Sequence, residues 1–304
     1  MTLVVAVASP KSIWMLTDRR LSFGNGKVRD DARKMMFLET NDGTALLGYS
    51  GLGSTGRTEP SEWMVRVLRG RNAPLEVSLG LLKQAVIKHL RPHLSRLEMP
   101  GHSIVVAAFR DGQPRIYTID LLVDKKAKKY QYRFTRHVTQ MFEKHGEKAE
   151  RGVLIAIGGS GAITLLNPRH WVKELRKLIK AHDVGRLPPG VIASYLAGIN
   201  HKVHLATKDG TVGDRCIVAW RPTAGHTQEY FSGTQPEVQT EMVFMPQVSR
   251  GRDMGALLKV LHANAMEGFK IRHKVEIPGL HVVTTACLNE ELAKLPEDPG
   301  ETLE

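Results

Sequence analysis

Along the first fifty residues, apolar and polar positions fall into short runs that predict two successive hairpins. A first strand is expected over Thr2–Ala8, where Leu3-Val4-Val5-Ala6-Val7-Ala8 is apolar without a break. The turn Ser9-Pro10-Lys11 leads to a second strand, Ser12–Asp18. A third strand, about Lys34–Glu39, and a fourth, Thr44–Tyr49, flank Asn41-Asp42-Gly43, where glycine accepts the positive φ that tight hairpins need. Strands one and four are apolar on both faces, which predicts a sheet covered on both sides rather than the wall of an open barrel.

The periodicity then lengthens to that of helices. Glu62–Leu68 is expected behind Ser61 as N-cap, and Val77–Leu94 puts Leu81, Leu82, Ala85, Val86 and Leu90 on one face. Strands return at Ser103–Phe109 and Arg115–Asp120, around Asp111-Gly112, and at Gly152–Ile157. Helices at Pro168–His182 and Pro189–His201 and a strand at Asp214–Trp220 complete the order. Strands, two helices, strands, two helices and a strand predict an α+β protein in four layers, an α-β-β-α sandwich.

Residues 1–222 are expected to form this domain, with a basic insertion at about 124–150. Residues 223–304 read as a C-terminal extension that opens with a linker, Thr223–Pro236. A strand near Glu241–Met245, a helix near Asp253–Phe269 and a strand near Leu280–Ala286 are expected within it, followed by an acidic tail that frays. No internal repeat of fixed period is found.

Composition narrows the partners. Lys and Arg number 43 against 31 Asp and Glu, a net charge of +12. The densest basic run, Asp124 to His137, alternates Tyr130, Tyr132 and Phe134 with polar residues. Aromatics interleaved with cations can stack on bases. A solvated loop entering a half-buried edge strand explains the same letters, and no nucleic-acid partner is expected. No apolar run reaches the ~20 residues of a membrane span, and the start lacks the basic and apolar regions of a signal peptide. A cytoplasmic protein without membrane contact is therefore expected.

Other candidate motifs lead nowhere. Cys216 and Cys287, the only two cysteines, make neither a disulfide framework nor a zinc site. His89 and His93 stand four apart, but no Glu follows His89 and Pro92 interrupts the pattern, so no metal is expected. Gly51-Leu52-Gly53-Ser54-Thr55-Gly56 fits G-x-G-x-x-G, yet its strand belongs to an antiparallel hairpin and two helices follow before the next strand. A dinucleotide site needs a βαβ unit, so no cofactor is expected.

The remaining constellation is Thr2, Asp18 and Lys34. Singly each is ordinary, and an exposed Asp–Lys pair on a sheet contributes little. Methionine is removed before small residues such as threonine, so the mature chain is expected to begin at Thr2. One residue would then carry both a hydroxyl and a free α-amine. A hydroxyl needs a base to become nucleophilic, and an α-amine titrates near pH 7.7–8.0, where general bases work well. A lysine beside it favours loss of the hydroxyl proton, and an aspartate keeps that lysine charged.

With these residues at these spacings the chain resembles the proteasome β-subunit superfamily, the N-terminal-nucleophile threonine peptidases that include bacterial two-component protease subunits. Counting from Thr2, the family has Asp sixteen residues on, matched by Asp18, and Arg two further, matched by Arg20. It has Lys thirty-two after the threonine, matched by Lys34 in DDARKMMF, and Gly forty-six after, matched by Gly48 in ALLGYSG. The resemblance covers residues 1–56 most fully, extends to about 220, and does not explain residues beyond.

The resemblance implies an N-terminal-nucleophile hydrolase fold, Thr2 as nucleophile, Lys34 and Asp18 tuning it, and the Gly48 N–H as oxyanion donor. It implies Ser160, in IGGSGA, near the terminal amine, and Asp209 with Thr211, in KDGTVGDR, as the matches to a later Asp-x-x-Ser-Gly element. Substrate backbone would add as a strand beside Ser22 and Ser50. The first specificity pocket would be lined by Leu21, Ala32, Met36 and Leu46, which implies apolar side chains before the cut. A homo-oligomer, with a ring as one form, and an ATP-dependent unfoldase partner are further implications of the same resemblance. Hydrolysis of peptide bonds in peptides or unfolded proteins is the leading expectation. An amidohydrolase acting on small amides and a non-catalytic proteasome-like scaffold stand beside it.

Overall fold

The uninterrupted apolar run at the start folds as β1, Val4–Ala8, and every residue of it is buried. The computed structural model describes residues 2–22, 27–51, 59–90, 102–124, 129–137, 152–166, 170–207, 210–232, 246–258, 260, 261 and 264. Strand β1 pairs antiparallel with β2, Ser12–Asp18, on one side and with β10, Leu154–Gly158, on the other. Strands β11, Cys216–Pro222, and β12, Gln228–Ser232, continue this five-stranded sheet in the order β10-β1-β2-β11-β12.

A seven-stranded sheet is built on β5, Met35–Glu39, and β6, Gly43–Ser50. Antiparallel β7, Ser103–Arg110, β8, Gln113–Asp124, and β9, Lys129–His137, follow in turn. On the other edge β13, Gln247–Ser249, lies parallel to β5 and carries β14, Arg252–Asp253. Between β2 and β5 the chain makes a small ladder of β3, Leu21–Ser22, and β4, Val28–Arg29.

Alternation along the strands sorts the apolar side chains into three clusters. Val4, Ala6, Ile13 and Met15 meet Phe37, Leu46, Val105 and Ala107 from the other sheet. The opposite faces of the same strands, Val5, Val7, Trp14 and Leu16, pack on helices α4, His170–Asp183, and α5, Pro189–Ala206, through Leu175, Ile179, Ile192 and Leu196. On the far side of the larger sheet, Met36, Leu47, Val106 and Tyr117 pack on α1, Pro60–Leu68, and α2, Leu75–Ala85. A short α3, Ala162–Leu166, follows β10. Both faces of β1 and β6 are therefore covered, which is why their sequences read apolar throughout.

Several boundaries differ from the sequence reading. Helix α1 begins at Pro60, with Glu59 as N-cap and its N–H donating to Glu62 Oε2 at 3.4 Å. Ser61 instead lies inside the first turn, fully buried, and donates to the Arg33 carbonyl at 2.9 Å. Helix α2 passes into a π-helical turn at Val86–Leu90, and the rest of the expected helix lies outside the described residues. The expected linker contains β12, which pairs with β11, and β13 joins the other sheet. Both sheets thus take strands from either side of the boundary drawn at 222. Of the expected helix near Asp253–Phe269, residues 254–258 are helical. The strands expected at Glu241–Met245 and Leu280–Ala286, the acidic tail and most of the basic insertion lie outside the described residues.

Candidate active site

Strand pairing brings the ends of β1, β2 and β5 to one place. Val4 pairs with Thr17, so Thr2 and Leu3 run past the end of β2, where Asp18 stands. The Leu3 N–H donates to Asp18 Oδ1 at 2.9 Å, and the Asp18 N–H donates back to the Leu3 carbonyl at 3.2 Å. Lys34 immediately precedes β5, and its ammonium Nζ reaches Thr2 Oγ1 at 2.8 Å and both Asp18 oxygens at 3.1 Å. All three side chains are buried: Thr2 is 3 % exposed, Asp18 0 % and Lys34 1 %.

The Asp18 carboxylate is held by more than the lysine. Oδ2 accepts the backbone N–H groups of Arg20 at 3.0 Å and Gly213 at 3.2 Å, so three amides and one ammonium converge on it. Sequence reasoning missed Leu3 and Gly213 here, because their contribution is a backbone N–H and no side chain announces it. Burial pushes the Lys34 ammonium below its ordinary value, and the Asp18 carboxylate opposes that shift.

The surrounding loops lock this arrangement. Arg20 makes a two-pronged ion pair with Asp30, at 2.6 and 2.7 Å, and donates to the Gly210 carbonyl at 2.7 Å. The hydrogen-bonded Asp30 holds the Arg20 guanidinium above its usual value, against the opposing effect of burial. Arg33, next to Lys34, is gripped from three sides. Its N–H donates to Glu59 at 2.9 Å, its carbonyl accepts from Ser61, and its guanidinium pairs with Glu229 at 3.2 Å. The first turn of α1 and an edge strand thereby fix the peptide that precedes the lysine.

The turn after β10 closes over Thr2. Gly159 has φ +87, and a Cβ there would lie 1.9 Å from the Thr2 carbonyl oxygen and 3.3 Å from Ser50 Cβ. Only glycine admits this approach. The Gly161 N–H donates to the Thr2 carbonyl at 3.3 Å. Ser160 Oγ is buried beside them with no hydrogen-bond partner among the described residues.

Gly48 lies elsewhere. Antiparallel ladders direct successive N–H groups to alternate neighbours. Tyr49 N–H bonds to the Lys34 carbonyl at 2.8 Å on the β5 side, while Gly48 pairs with Val105 on β7. The Gly48 amide is therefore turned away from Lys34, and a Cβ at this residue would meet Met15 Sδ and Val4 Cγ1, both at 2.7 Å, in the core between the sheets. Three residues further, Gly51 follows the last ladder pair, Ser50 with Ser103. Its N–H belongs to the peptide after the strand residue Ser50 and so continues the alternation toward the Lys34 side. Among the described residues no hydrogen bond takes it up.

The other expected residues divide. Leu21 and Ala32 are buried near the start of β3 and before β5, and Ser22 on β3 is exposed. Met36 packs toward α1 and α2, whereas Leu46 points between the sheets, so the two lie on opposite faces and cannot line one pocket. The register explains this: Met36 pairs with Leu47, and Leu46 with Phe37. Ser50 is fully buried and pairs with Ser103 in the β6–β7 ladder, so its backbone faces β7 rather than an open strand edge; its Oγ also donates to the Ser103 carbonyl at 3.5 Å. Thr211 sits in the turn that carries Gly213, and Asp209 lies outside the described residues.

His89 Nδ1 accepts from Trp63 Nε1 at 3.3 Å, Cys216 is a buried thiol opposite Asp18 in the β2–β11 ladder, and His93 and Cys287 lie outside the described residues. Gly51 ends a strand with antiparallel neighbours, and the rest of its glycine motif, residues 52–56, lies outside the described residues. No group of three potential metal ligands occurs among the described residues, and none of their helices is long and apolar enough to cross a membrane.

No protein-family model and no curated protein matches the sequence. Among solved structures the chain is similar to Anbu, described as an ancestral beta-subunit, from Yersinia bercovieri, at 13 % identity over 92 % of this chain and 99 % of that one, with a TM-score of 0.46. It is also similar to Anbu from Hyphomicrobium sp. strain MC1, at 12 % identity over 91 % and 99 %, with a TM-score of 0.45, and to a Gly-1 mutant of that protein at 12 % identity, 91 % and 99 % coverage and 0.46. A likeness this distant transfers no activity and no residue roles.

Proposed function

We propose that the protein is an N-terminal threonine peptidase whose nucleophile is the Thr2 hydroxyl. The observation that carries this reading is the buried chain of contacts from Thr2 Oγ1 through Lys34 Nζ to Asp18. Buried charges are retained where they are paired and hydrogen-bonded, and here the pairing ends on the Thr2 hydroxyl. The layering that goes with it is an α-β-β-α sandwich, and the three apolar clusters support that reading.

Removal of Met1 frees the Thr2 α-amine. That amine takes the hydroxyl proton as Oγ1 attacks the carbonyl carbon of the substrate amide, and the Lys34 ammonium stabilises the developing alkoxide. The C–N bond of the tetrahedral intermediate then breaks, the proton passes to the leaving amine, and an ester on Thr2 remains for water to hydrolyse. Ser160, with its unsatisfied buried hydroxyl, would hold the new amine. The oxyanion would meet the Gly51 N–H in place of the expected Gly48, since the former faces the lysine side of β6 and the latter does not. Such a donor contributes about a hundred- to a thousandfold in rate.

The substrate class is a peptide or an unfolded segment, laid beside Ser22 and Gly51. Assembly into a homo-oligomer and recruitment of an ATP-dependent unfoldase rest on the family resemblance alone. The test is intact mass with and without a hydroxyl-directed β-lactone. Loss of one methionine and one acyl adduct that Thr2→Ala abolishes are expected; a retained Met1 in active protein, or an adduct that survives Thr2→Ala, would overturn the reading.

A further inference from the structure

Gly51 does not sit alone at the end of β6. It has φ +131, a conformation L side chains rarely adopt, and a Cβ there would lie 2.7 Å from His102 Cδ2 and 3.0 Å from His102 Cγ. The imidazole is therefore packed directly on the Gly51 Cα. His102 is 2 % exposed, just before β7, and its Nε2 shares a 2.5 Å hydrogen bond with the Tyr49 hydroxyl. The two rings meet edge to face with centroids 5.0 Å apart. Tyr49 is in turn fixed by its backbone, because its N–H donates to the carbonyl of Lys34.

A continuous set of contacts thus runs from the Lys34 backbone through Tyr49 and His102 to the Gly51 peptide. Its two ends are the residue whose ammonium touches Thr2 and the glycine peptide that leaves the end of β6. Resting on the proposed role of Gly51, we infer that His102 is a positioning residue for catalysis: clamped by Tyr49, its ring holds the Gly51 peptide so that the N–H points at the forming oxyanion. Neither residue touches substrate in this arrangement, and each acts through the glycine. Burial holds the His102 imidazole down to about 4, so the ring is neutral at working pH and acts on Gly51 through packing and its hydrogen bond to Tyr49 rather than through charge.

The experiment compares two reagents on the full-length protein. A β-lactone acylates Thr2 through a tetrahedral oxyanion, whereas a peptide vinyl sulfone alkylates the same hydroxyl without building an oxyanion on a carbonyl carbon. Tyr49→Phe keeps the ring and removes only the hydroxyl; His102→Phe keeps an aromatic of similar size and removes the acceptor. Thermal melting confirms that each variant is folded. Each single variant is expected to slow β-lactone acylation about 10- to 100-fold, part of the cost of deleting an oxyanion donor, and to leave vinyl sulfone labelling within about twofold. The double variant should be no slower than the worse single one, as for residues acting as one unit.

Equal slowing with both reagents would mean that His102 merely supports the site's packing, and unchanged rates with both would mean that it does not position Gly51. Either result overturns the inference while leaving Thr2 as nucleophile. Failure of the wild-type protein to react with either reagent would instead overturn the proposed function, and this inference with it.

Discussion

Lys34 Nζ stands 2.8 Å from Thr2 Oγ1 and bridges it to Asp18, with all three side chains buried. Hydroxyl, ammonium and carboxylate therefore form one unit, and the proposed chemistry should fail when any member is removed. Thr2→Ala and Lys34→Ala should each reduce peptide hydrolysis at least about a thousandfold, since residues acting as a unit are grossly non-additive. Thr2→Ser retains the hydroxyl and the amine and should keep measurable turnover. Steady-state kinetics on a fluorogenic peptide with an apolar residue before the cut checks all three.

Stability should respond unequally to the two halves of the ion pair. Asp18→Ala leaves the Lys34 ammonium and the N–H groups of Leu3, Arg20 and Gly213 without their acceptor. Breaking a buried pair from that side costs about 3–5 kcal/mol. Lys34→Met leaves the carboxylate with its three amide donors and should cost clearly less. Urea unfolding of both variants, with equal m-values, measures the difference.

Acid should weaken the fold through His102. Its imidazole is held down to about 4 when folded, against an ordinary 6.5. Between those values the unfolded chain binds a proton that the folded protein refuses, so stability is full above pH 6.5 and falls as the pH drops toward 4. The loss attributable to this residue is about 3 kcal/mol at the low end, since each tenfold weakening of proton affinity on folding is worth about 1.4 kcal/mol. In the His102→Phe variant the slope of stability against pH in that window should flatten by about one proton.

The two glycines of β6 and its end should separate cleanly. Gly48→Ala pushes a methyl group against Met15 and Val4 side chains, an overpacking expected to cost about 1–3 kcal/mol while β-lactone labelling of the folded fraction persists. Gly51→Ala forces a side chain into a φ of +131 and into the His102 ring, and should abolish labelling at any stability. A Gly48→Ala protein that is fully folded yet cannot be acylated would return the oxyanion role to Gly48.

What could be read from the sequence was set by how local the pairing is. Thr2, Asp18 and Lys34 were legible because β1, β2 and β5 follow one another closely and the offsets between them carry their geometry. The offset to Gly48 does not say where its amide points, because an N–H changes neighbour with every residue and one step decides whether it bonds toward β5 or β7. The turn held the missing signal: the Thr40 N–H donates to the Gly43 carbonyl at 2.8 Å, so the hairpin closes over Asn41 and Asp42. Counting outward from that pair puts Met36 opposite Leu47 and turns Leu46 to the other face. The joins of β12 and β13 to the sheets could not be foreseen, since three- and five-residue strands with distant partners leave no periodic trace.

One of those distant joins bears on the order in which the fold is completed. β5 begins at Met35, directly after Lys34, and its outer neighbour is β13, at Gln247–Ser249. On the ribosome, more than two hundred further residues must emerge before that flank is covered. A nascent chain therefore carries Thr2, Asp18 and Lys34 long before the outer edge of β5, at Phe37–Glu39, is covered. Under the proposed function, a nascent chain whose β5 edge is still open would be an unfinished peptidase, that edge unsealed until most of the chain has been made.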